Sequence, residues 1–219
     1  MPHATKAYKG FGMEGGVARW YDKTTRRDRP EFAALAARIA ARVPASATVL
    51  EVAPGPGFLA IDLAKRGLDV RAVDISRTFV EIAQRNAAAA NVKLRVEVGD
   101  AAALPLADEG VDFVVCRAAF KNFSRPVGVL AEMRRVLRPG GTALLIDMRR
   151  DVSIAAIKRY VDGLGHGWLT RWLMMVVFRT TLIKRAYTLD DIRRMAREAG
   201  WGEPRIETTP IGFEAWLLK

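Results

Sequence analysis

The sequence predicts an α/β fold built on a doubly wound sheet of seven strands, one of them antiparallel. Between residues 48 and 147, short apolar runs alternate five times with amphipathic stretches, as in successive strand–helix units of a parallel sheet. The first run, residues 49–52, breaks at once into a glycine-containing turn, Ala53-Pro54-Gly55-Pro56-Gly57, and a helical stretch follows. Such a strand, turn and helix are typical of a nucleotide-binding unit, so we expect the ligand at the carboxyl ends of the strands.

The composition indicates one globular domain with room for a small cap. The chain has 219 residues, half of them apolar, and carries 35 Lys and Arg against 24 Asp and Glu. The basic residues are interleaved with acids, so we expect no nucleic-acid partner. We expect no secretory signal and no transmembrane segment, because no apolar run approaches ~20 residues. The one cysteine, Cys116, lies in an apolar run, which favours core packing in the reducing cytoplasm.

The N-terminal segment is polar, rich in glycine and partly aromatic, and we interpret residues 1–29 as a lid over the ligand. It contains a predicted helical turn around Tyr21. The alternative is a surface helix that packs Trp20 against the body. The main domain then covers residues 30–219. It opens with a predicted helix over residues 30–43, where proline suits the first turn and apolar residues recur at helical spacing.

The next two strand–helix units follow the same pattern. Strands are predicted over residues 68–73 and 92–98, from their apolar and alternating character. The second strand ends at Asp74. Ser76 is a suitable N-cap for a helix over residues 77–90.

The fourth strand, residues 111–116, is continuously apolar, as in a strand that is covered on both faces. After a loop, a helix is predicted over residues 126–137 and is closed by a turn, Arg138-Pro139-Gly140-Gly141. The fifth strand, residues 142–146, ends at Asp147.

An insertion, residues 149–187, interrupts the alternation and predicts a helical cap. Its second half is strongly apolar and contains Trp168, Trp172, Leu173, Met174, Met175 and Phe178. Such a face could line an acceptor pocket, pack on the sheet, join two copies in a homodimer, or lie on a membrane surface as a peripheral contact. Beyond it, Thr188-Leu-Asp-Asp191 resembles a capping box, and residues 205–209 and 211–218 predict the last two strands.

Four segments resemble, in order, motifs of class I S-adenosylmethionine-dependent methyltransferases, a family with a Rossmann-like fold. Glu51-Val-Ala53-Pro-Gly55-Pro-Gly57 is similar to the acid-x-G-x-G-x-G motif, with alanine in place of the first glycine, and Asp74 matches the second acid. Two later segments resemble two further signatures of the family: Gly99-Asp-Ala-Ala-Ala-Leu-Pro105 and Leu130-Ala-Glu132-Met-Arg-Arg-Val-Leu-Arg-Pro-Gly-Gly141. The resemblance covers residues 48–147.

The resemblance implies that S-adenosylmethionine is the cofactor and S-adenosylhomocysteine the product. It implies binding roles for Tyr21, Glu51, Ala53, Gly55, Gly57, Asp74, Ile75, Asp100, Ala101 and Arg117. The glycine turn suits the carboxylate end of the cofactor, because backbone N–H groups there favour an anion. A carboxylate at a strand end can accept both ribose hydroxyls, which suits Asp74.

The remaining roles follow the family pattern. Ile75 is expected against the adenine face, with Asp100 and the Ala101 N–H at the adenine edge. Glu51 is expected to order the turn or to hold the amino group, and its alternative is a strand acid paired with a nearby arginine. Arg117 is expected beside the methionine part, and its alternative is a surface arginine that neutralises Asp100 or Asp112.

Methyl transfer is an in-line displacement with a good leaving group, so positioning and desolvation supply much of the rate. A base is needed only if the acceptor must lose a proton. His166, Lys121 and Asn122 are the candidates for a base or an acceptor contact, and no metal site is predicted. Residues 118–123 replace the A-x-H-H-F of many relatives, which leaves the identity of a base open; His166 between glycines is alternatively an exposed or structural residue.

These patterns predict an enzyme that methylates a small aromatic or quinone-like acceptor of secondary or cofactor metabolism. One alternative is a protein of the same fold that binds S-adenosylmethionine without methylating. The other is an oxidoreductase that uses NAD(P), since Gly55-Pro-Gly57-Phe-Leu-Ala60 also fits the dinucleotide pattern.

Overall fold

The computed structural model describes residues 7–9, 12–165 and 167–219. Its centre is a sheet of the strands β1 (Thr48–Val52), β2 (Asp69–Asp74), β3 (Arg95–Val98), β4 (Val111–Arg117), β5 (Leu137–Met148), β6 (Arg205–Thr208) and β7 (Gly212–Leu218). The order across this sheet is β3-β2-β1-β4-β5-β7-β6, and β7 runs antiparallel to both of its neighbours. The predicted seven-stranded, doubly wound sheet with one antiparallel strand is confirmed.

The register of the central strand β1 defines one edge of the sheet. Its last residue, Val52, pairs with Val73 of β2 and with Cys116 of β4. All these strands are parallel, so the residues that follow emerge side by side at the carboxyl edge. They are Ala53, Asp74 and Arg117.

The helices are α1 (Gly15–Thr25), α2 (Arg29–Ala40), α3 (Phe58–Ala64), α4 (Arg77–Ala89), α5 (Pro126–Val136), α6 (Ile154–Gly163), α7 (Trp168–Val177), α8 (Ile183–Arg185) and α9 (Leu189–Glu198). Short 3-10 turns occupy Arg26–Asp28 and Phe120–Asn122, and a π-helical segment occupies Phe178–Leu182. The predicted N-cap at Ser76 is confirmed, since its hydroxyl accepts from the Phe79 N–H at 3.1 Å. The predicted capping box at the start of α9 is also confirmed.

Two apolar layers sandwich the sheet. Helices α2 and α3 cover one face, where Ile39 and Leu63 pack with Val49 of β1. Helices α5 and α9 cover the other face, where Met133 packs with Leu50. Neighbouring residues of β1 therefore point to opposite layers, which explains why the strand is apolar at every position except Thr48 and Glu51.

The third and fifth strands differ from their predicted bounds. Residues 92–94 lie outside β3, because Asn91 takes a left-handed conformation and the Val92 N–H still bonds to the Ala87 carbonyl. The predicted turn over residues 138–141 lies within the bounds of β5 as an irregularity of the pairing, since Leu137 pairs with Val111 and Thr142 with Phe113, and Gly140 has a φ angle of 77°. A Cβ on Gly141 would lie 2.9 Å from the carbonyl oxygen of Asp112, so glycine permits this close strand pairing.

Two further parts flank the carboxyl edge. Helix α1, which is longer than the predicted turn, packs on α4 through Ala18, Tyr21, Phe79 and Ile82. Helices α6, α7 and α8 with the π segment form the inserted cap and share a separate apolar cluster. In the part of the chain that the structure describes, no helix is both long and apolar enough to cross a membrane.

Candidate active site

The turn after β1 has an unusual backbone. Ala53, Gly55 and Gly57 have φ angles of 56°, 54° and 79°, which glycine adopts freely and alanine at a cost of roughly 1–2 kcal/mol. A Cβ on Gly57 would lie 2.9 Å from the Cβ of Ala83, so the approach of α4 also requires glycine there. The turn therefore presents bare backbone at the carboxyl edge, as close contact with an extended ligand requires.

Glu51 lies directly behind this turn. Its side chain is buried, and Oε2 has no hydrogen-bond partner among the described residues. Burial raises the pKa of this carboxyl to about 8, although the Ala60 N–H and the charge of Arg117 oppose the rise. An orphaned buried carboxyl oxygen fits a ligand that supplies an N–H donor or a positive charge, and the amino group and sulfonium of S-adenosylmethionine supply both.

Asp74 joins the turn to the end of β2. Its Oδ2 accepts from the Gly55 N–H at 3.0 Å, and its Oδ1 accepts from the Ser76 N–H at 2.9 Å. The carboxyl is buried, and this burial raises its pKa. Each oxygen still has a second lone pair for a ligand hydroxyl, so the predicted ribose contact is compatible with this arrangement. Beside it, Ile75 leaves 45% of its apolar surface exposed, as an adenine-facing residue would.

Asp100 and Ala101 follow β3 at the same edge. Asp100 Oδ1 accepts from the Ala102 N–H at 2.9 Å, and Oδ2 forms an ion pair with Arg125 at 2.6 Å. Ala101 is buried, and its side chain belongs to the main core. No pattern in the sequence indicated Arg125, whose guanidinium pairs with the Asp100 carboxylate that was expected to contact adenine.

Arg117 extends from the end of β4. Its guanidinium forms an ion pair with Glu31 at 3.1 Å and lies 4.4 Å from the ring centre of Phe32. The alternative partners predicted for Arg117 are wrong, since Asp100 pairs with Arg125 and Asp112 pairs with Arg138. The positive charge of Arg117 lowers the pKa of Glu51, against the larger effect of burial.

The N-terminal segment contacts both the turn after β1 and the start of α4. The Tyr21 ring lies 3.9 Å from the position of a Cβ on Gly55, and burial raises the pKa of its hydroxyl. Further along, Glu14 accepts from the backbone N–H groups of Arg77 and Thr78 and thereby caps α4. These contacts agree with a lid, although its division from the domain stays a prediction.

The start of this segment adds a short strand-like contact. Tyr8 pairs antiparallel with Phe123, and the Lys9 N–H donates to the Asn122 carbonyl at 2.7 Å. Burial raises the pKa of the Tyr8 hydroxyl, and the charge of Asp74 raises it further. Sequence reasoning missed Tyr8, because its partner lies more than a hundred residues away.

Lys121, which was predicted as a base or an acceptor contact, instead forms a buried ion pair with Asp147. Its buried ammonium donates to Asp147 Oδ1 at 2.8 Å and to the Ala118 carbonyl at 2.6 Å. Asp147 Oδ2 also accepts from the Lys121 N–H at 3.0 Å. The expected acceptor role is therefore corrected to that of a positioning residue, which fixes the loop after β4. Asn122 is half-buried and holds Lys9 through its carbonyl, and His166 lies outside the described residues.

Two further tyrosines make contacts with neighbouring side chains. Tyr160 of α6 packs edge-on against Phe178 with 6.1 Å between ring centres, and burial raises its pKa, as do the charges of Glu31 and Asp28. The Tyr187 hydroxyl accepts from the Lys9 ammonium at 2.7 Å. With Tyr8 and Tyr21, these are the four tyrosines of the chain.

The apolar residues of the cap divide between two sides. Met174, Met175 and Phe178 turn inward to the cap's own apolar cluster. Trp168 and Trp172 instead point outward, with 74% and 61% of their surface exposed. Helix α7 is apolar except at Thr170 and Arg171, and its apolar residues pack into the cap on one side only.

Comparisons with known proteins agree with this geometry. Residues 50–145 match a family model described as a methyltransferase domain. A demethylmenaquinone methyltransferase from Deinococcus radiodurans is 41% identical over 101 residues, which are 45% of this chain and 42% of that protein. A demethylmenaquinone methyltransferase from Mycobacterium tuberculosis is 34% identical over 157 residues, 69% of this chain and 64% of that protein. The chain spans about half the length of the curated relatives it matches.

Solved structures share the fold. A protein from Methanococcus maripaludis, described as an S-adenosyl-L-methionine-dependent methyltransferase, superimposes with a TM-score of 0.76 at 21% identity, covering 96% of this chain and 95% of that one. A SAM-dependent methyltransferase from Aquifex aeolicus gives 0.62 at 22% identity, covering 79% and 82%. With the sheet order, the glycine turn and the two buried acids already described, these matches show that residues 50–145 form a methyltransferase domain and that the chain has the fold of S-adenosylmethionine-dependent methyltransferases.

Proposed function

We propose that the protein transfers a methyl group from S-adenosylmethionine to a small quinone-like acceptor. The observation that carries this proposal is the bare turn from Ala53 to Gly57. It lies between the buried carboxyls of Glu51 and Asp74 and under the ring of Tyr21. This cradle suits a ligand with an amino-acid end, a positive charge and a ribose.

When bound, the cofactor supplies a methyl group on a sulfonium with a neutral thioether as the leaving group. The chain's own residues bind and orient the reactants. The turn's backbone receives the carboxylate end, Asp74 receives the ribose hydroxyls, and Ile75 lies against the base. Tyr21 closes the turn and excludes water, which strengthens the electrostatic contacts beneath it.

The acceptor class is supported by the names of the curated relatives and by the tyrosine side chains of the N-terminal segment and the cap. The relatives are named demethylmenaquinone methyltransferases, and aromatic side chains suit a flat aromatic acceptor. Lys121 is committed to Asp147, and the raised pKa values of Tyr8, Tyr21 and Tyr160 keep these hydroxyls protonated at neutral pH. Such hydroxyls can donate to an acceptor oxygen but are poor bases, so a reduced quinone ring, which is electron-rich, is favoured.

The other parts of the proposal concern location and partners. We propose a cytoplasmic protein, since its single cysteine is a buried free thiol that needs no oxidising compartment. A small molecule rather than nucleic acid is the proposed substrate, because many of its basic side chains are paired with acids. We do not favour a homodimer through the cap, because it would bring two basic caps together.

Calorimetry of cofactor binding tests the proposal. Asp74→Asn should weaken binding of S-adenosylmethionine by at least tenfold, because the ribose hydroxyls lose a charged acceptor (~1.5–3 kcal/mol). Asp69→Asn is the matched control, since Asp69 lies at the opposite end of the same strand. Equal affinity in the two variants, or tighter binding of NADH than of S-adenosylmethionine, would contradict the cofactor assignment.

The acceptor is tested with a labelled methyl group. Incubation with a short-chain demethylmenaquinol under reducing conditions should give a labelled methylated quinol. Cofactor binding without transfer to reduced quinones would support the alternative, a protein that binds S-adenosylmethionine without methylating quinones.

A further inference from the structure

Helix α7 exposes a continuous apolar face on the surface of the cap. The face consists of six side chains at helical spacing, in two rows four residues apart: Trp168, Trp172 and Val176 in one row and Leu169, Leu173 and Val177 in the other. Each of them keeps between 37% and 74% of its surface exposed. A contiguous apolar patch of this kind marks an interaction site more often than scattered apolar residues do.

The opposite side of the helix already makes the internal contacts. Met174 and Met175 pack into the apolar cluster that α7 shares with α6 and the π segment. Packing of the cap therefore leaves the outer face without a partner within the described residues. Two tryptophans, Trp168 and Trp172, lie on the outer face of the helix and not on the inner face.

The charge around this face has one sign. Residues 153–187 contain six basic side chains and a single acidic one, Asp162, which pairs with Lys158 and Arg171. Arg159, Arg179 and Lys184 are exposed and form no ion pair in the described part of the chain. An exposed apolar face on a cap that also carries unpaired basic residues complements a surface that is apolar inside and anionic outside.

We propose that the face of α7 docks the protein on an anionic lipid membrane. Tryptophan side chains favour the interface between lipid headgroups and acyl chains, and basic residues favour anionic headgroups. With ten residues, α7 would lie in the plane of the membrane and not span it. The proposal stands on this face and its charge, and it does not depend on the identity of the acceptor.

A second copy of the chain fits this face poorly. Two-fold pairing through α7 would bring two strongly basic caps together, and like charges at an interface oppose association. An anionic membrane instead attracts every one of these basic groups.

Sedimentation with lipid vesicles tests the proposal. The full chain should bind vesicles that contain phosphatidylglycerol and should bind pure phosphatidylcholine at least tenfold more weakly, and added salt should weaken the binding. Trp168→Ser combined with Trp172→Ser should reduce binding on the order of 10-fold or more. Trp20→Ser is the matched control, because Trp20 is equally exposed, at 64%, but lies on α1.

A second pair of variants isolates the charge. Arg179→Gln with Lys184→Gln should weaken binding on the order of 10-fold, at ~1 kcal/mol for each basic residue near the surface. Arg85→Gln with Lys93→Gln removes the same charge from exposed positions on and after α4 and should change it little. Quenching of tryptophan fluorescence by brominated lipids would support the proposal in the unaltered chain, where no variant can misfold.

Three results would overturn the proposal. The first is equal binding to neutral and anionic vesicles, or to neither. The second is an equal loss of vesicle binding in the cap variants and in their control variants. The third is a dimer in analytical ultracentrifugation that the tryptophan substitutions convert to monomer, because a second copy would then cover the face.

Discussion

Glu51→Gln separates the charge of the buried acid from its shape. The unfolded chain ionises Glu51 near the ordinary value of 4.5, whereas the folded chain keeps the proton until about pH 8. The unfolded state therefore binds fewer protons between these two values, and the free energy of unfolding falls as the pH rises through that window. Below it both states are protonated, and above it both are ionised, so the dependence stops on either side.

The size of the effect follows from the same two pKa values. At ~1.4 kcal/mol for each tenfold change in proton affinity, an ionised Glu51 costs the cofactor-free protein roughly 3–5 kcal/mol above about pH 8. Glutamine keeps the shape of the neutral acid, so the variant should match the parent near pH 4. Above pH 8 it should be more stable by this amount, which corresponds to about 2–4 °C in Tm for each kcal/mol.

Urea unfolding across the pH range measures the effect. The quantity of interest is the difference between parent and variant, because other titrating groups cancel in it. Glu97→Gln on β3 is the control, since Glu97 is exposed and its charge stays hydrated. Parallel stability–pH curves for the parent and Glu51→Gln would show that the buried carboxyl keeps its ordinary pKa and would refute the reasoning.

Three more predictions concern the residues that shape the site. Lys121→Met should lower the free energy of unfolding by about 3–5 kcal/mol, because it strands the charge of Asp147 in the interior, and adding Asp147→Asn should restore part of the loss in urea titrations. Ala53→Gly should raise the unfolding free energy by about 1 kcal/mol, since glycine accepts the left-handed backbone; an unchanged or lower value would show that alanine is not strained there. Tyr21→Ala should weaken S-adenosylmethionine binding by roughly tenfold and speed hydrogen exchange in α1, whereas Trp20→Ala should do neither.

Local patterns predicted the parts of the fold that depend on neighbours in sequence. The turn after β1, the acid at the end of β2 and the cap of α4 at Ser76 are each set by a few adjacent residues. The continuous apolar character of β4 predicted a strand covered on both faces, and β4 contributes Val114 to one apolar layer and Phe113 to the other. Such features can be predicted because backbone conformation and hydrophobic period are local properties.

Contacts between distant residues could not be predicted in the same way. Lys121 and Asp147 are 26 positions apart, and nothing in either segment indicates that the ammonium would be buried. Arg125 reaches Asp100 across 25 positions and changes the surroundings of a carboxylate that was assigned to the cofactor. The outward face of α7 is a related case, since an apolar pattern shows that a helix needs partners but not on which side it finds them.

The attachment of the cap has a consequence for how this protein can change. The two ends of the insertion meet, since Arg149 pairs with Tyr187 and the Arg150 N–H donates to the Tyr187 carbonyl at 3.0 Å. A segment whose two ends are adjacent can be replaced by another segment without moving the strands, because the sheet is connected to it only at those two ends. Residues 151–186 can therefore vary or be replaced while the turn after β1 and the two acids behind it stay as they are.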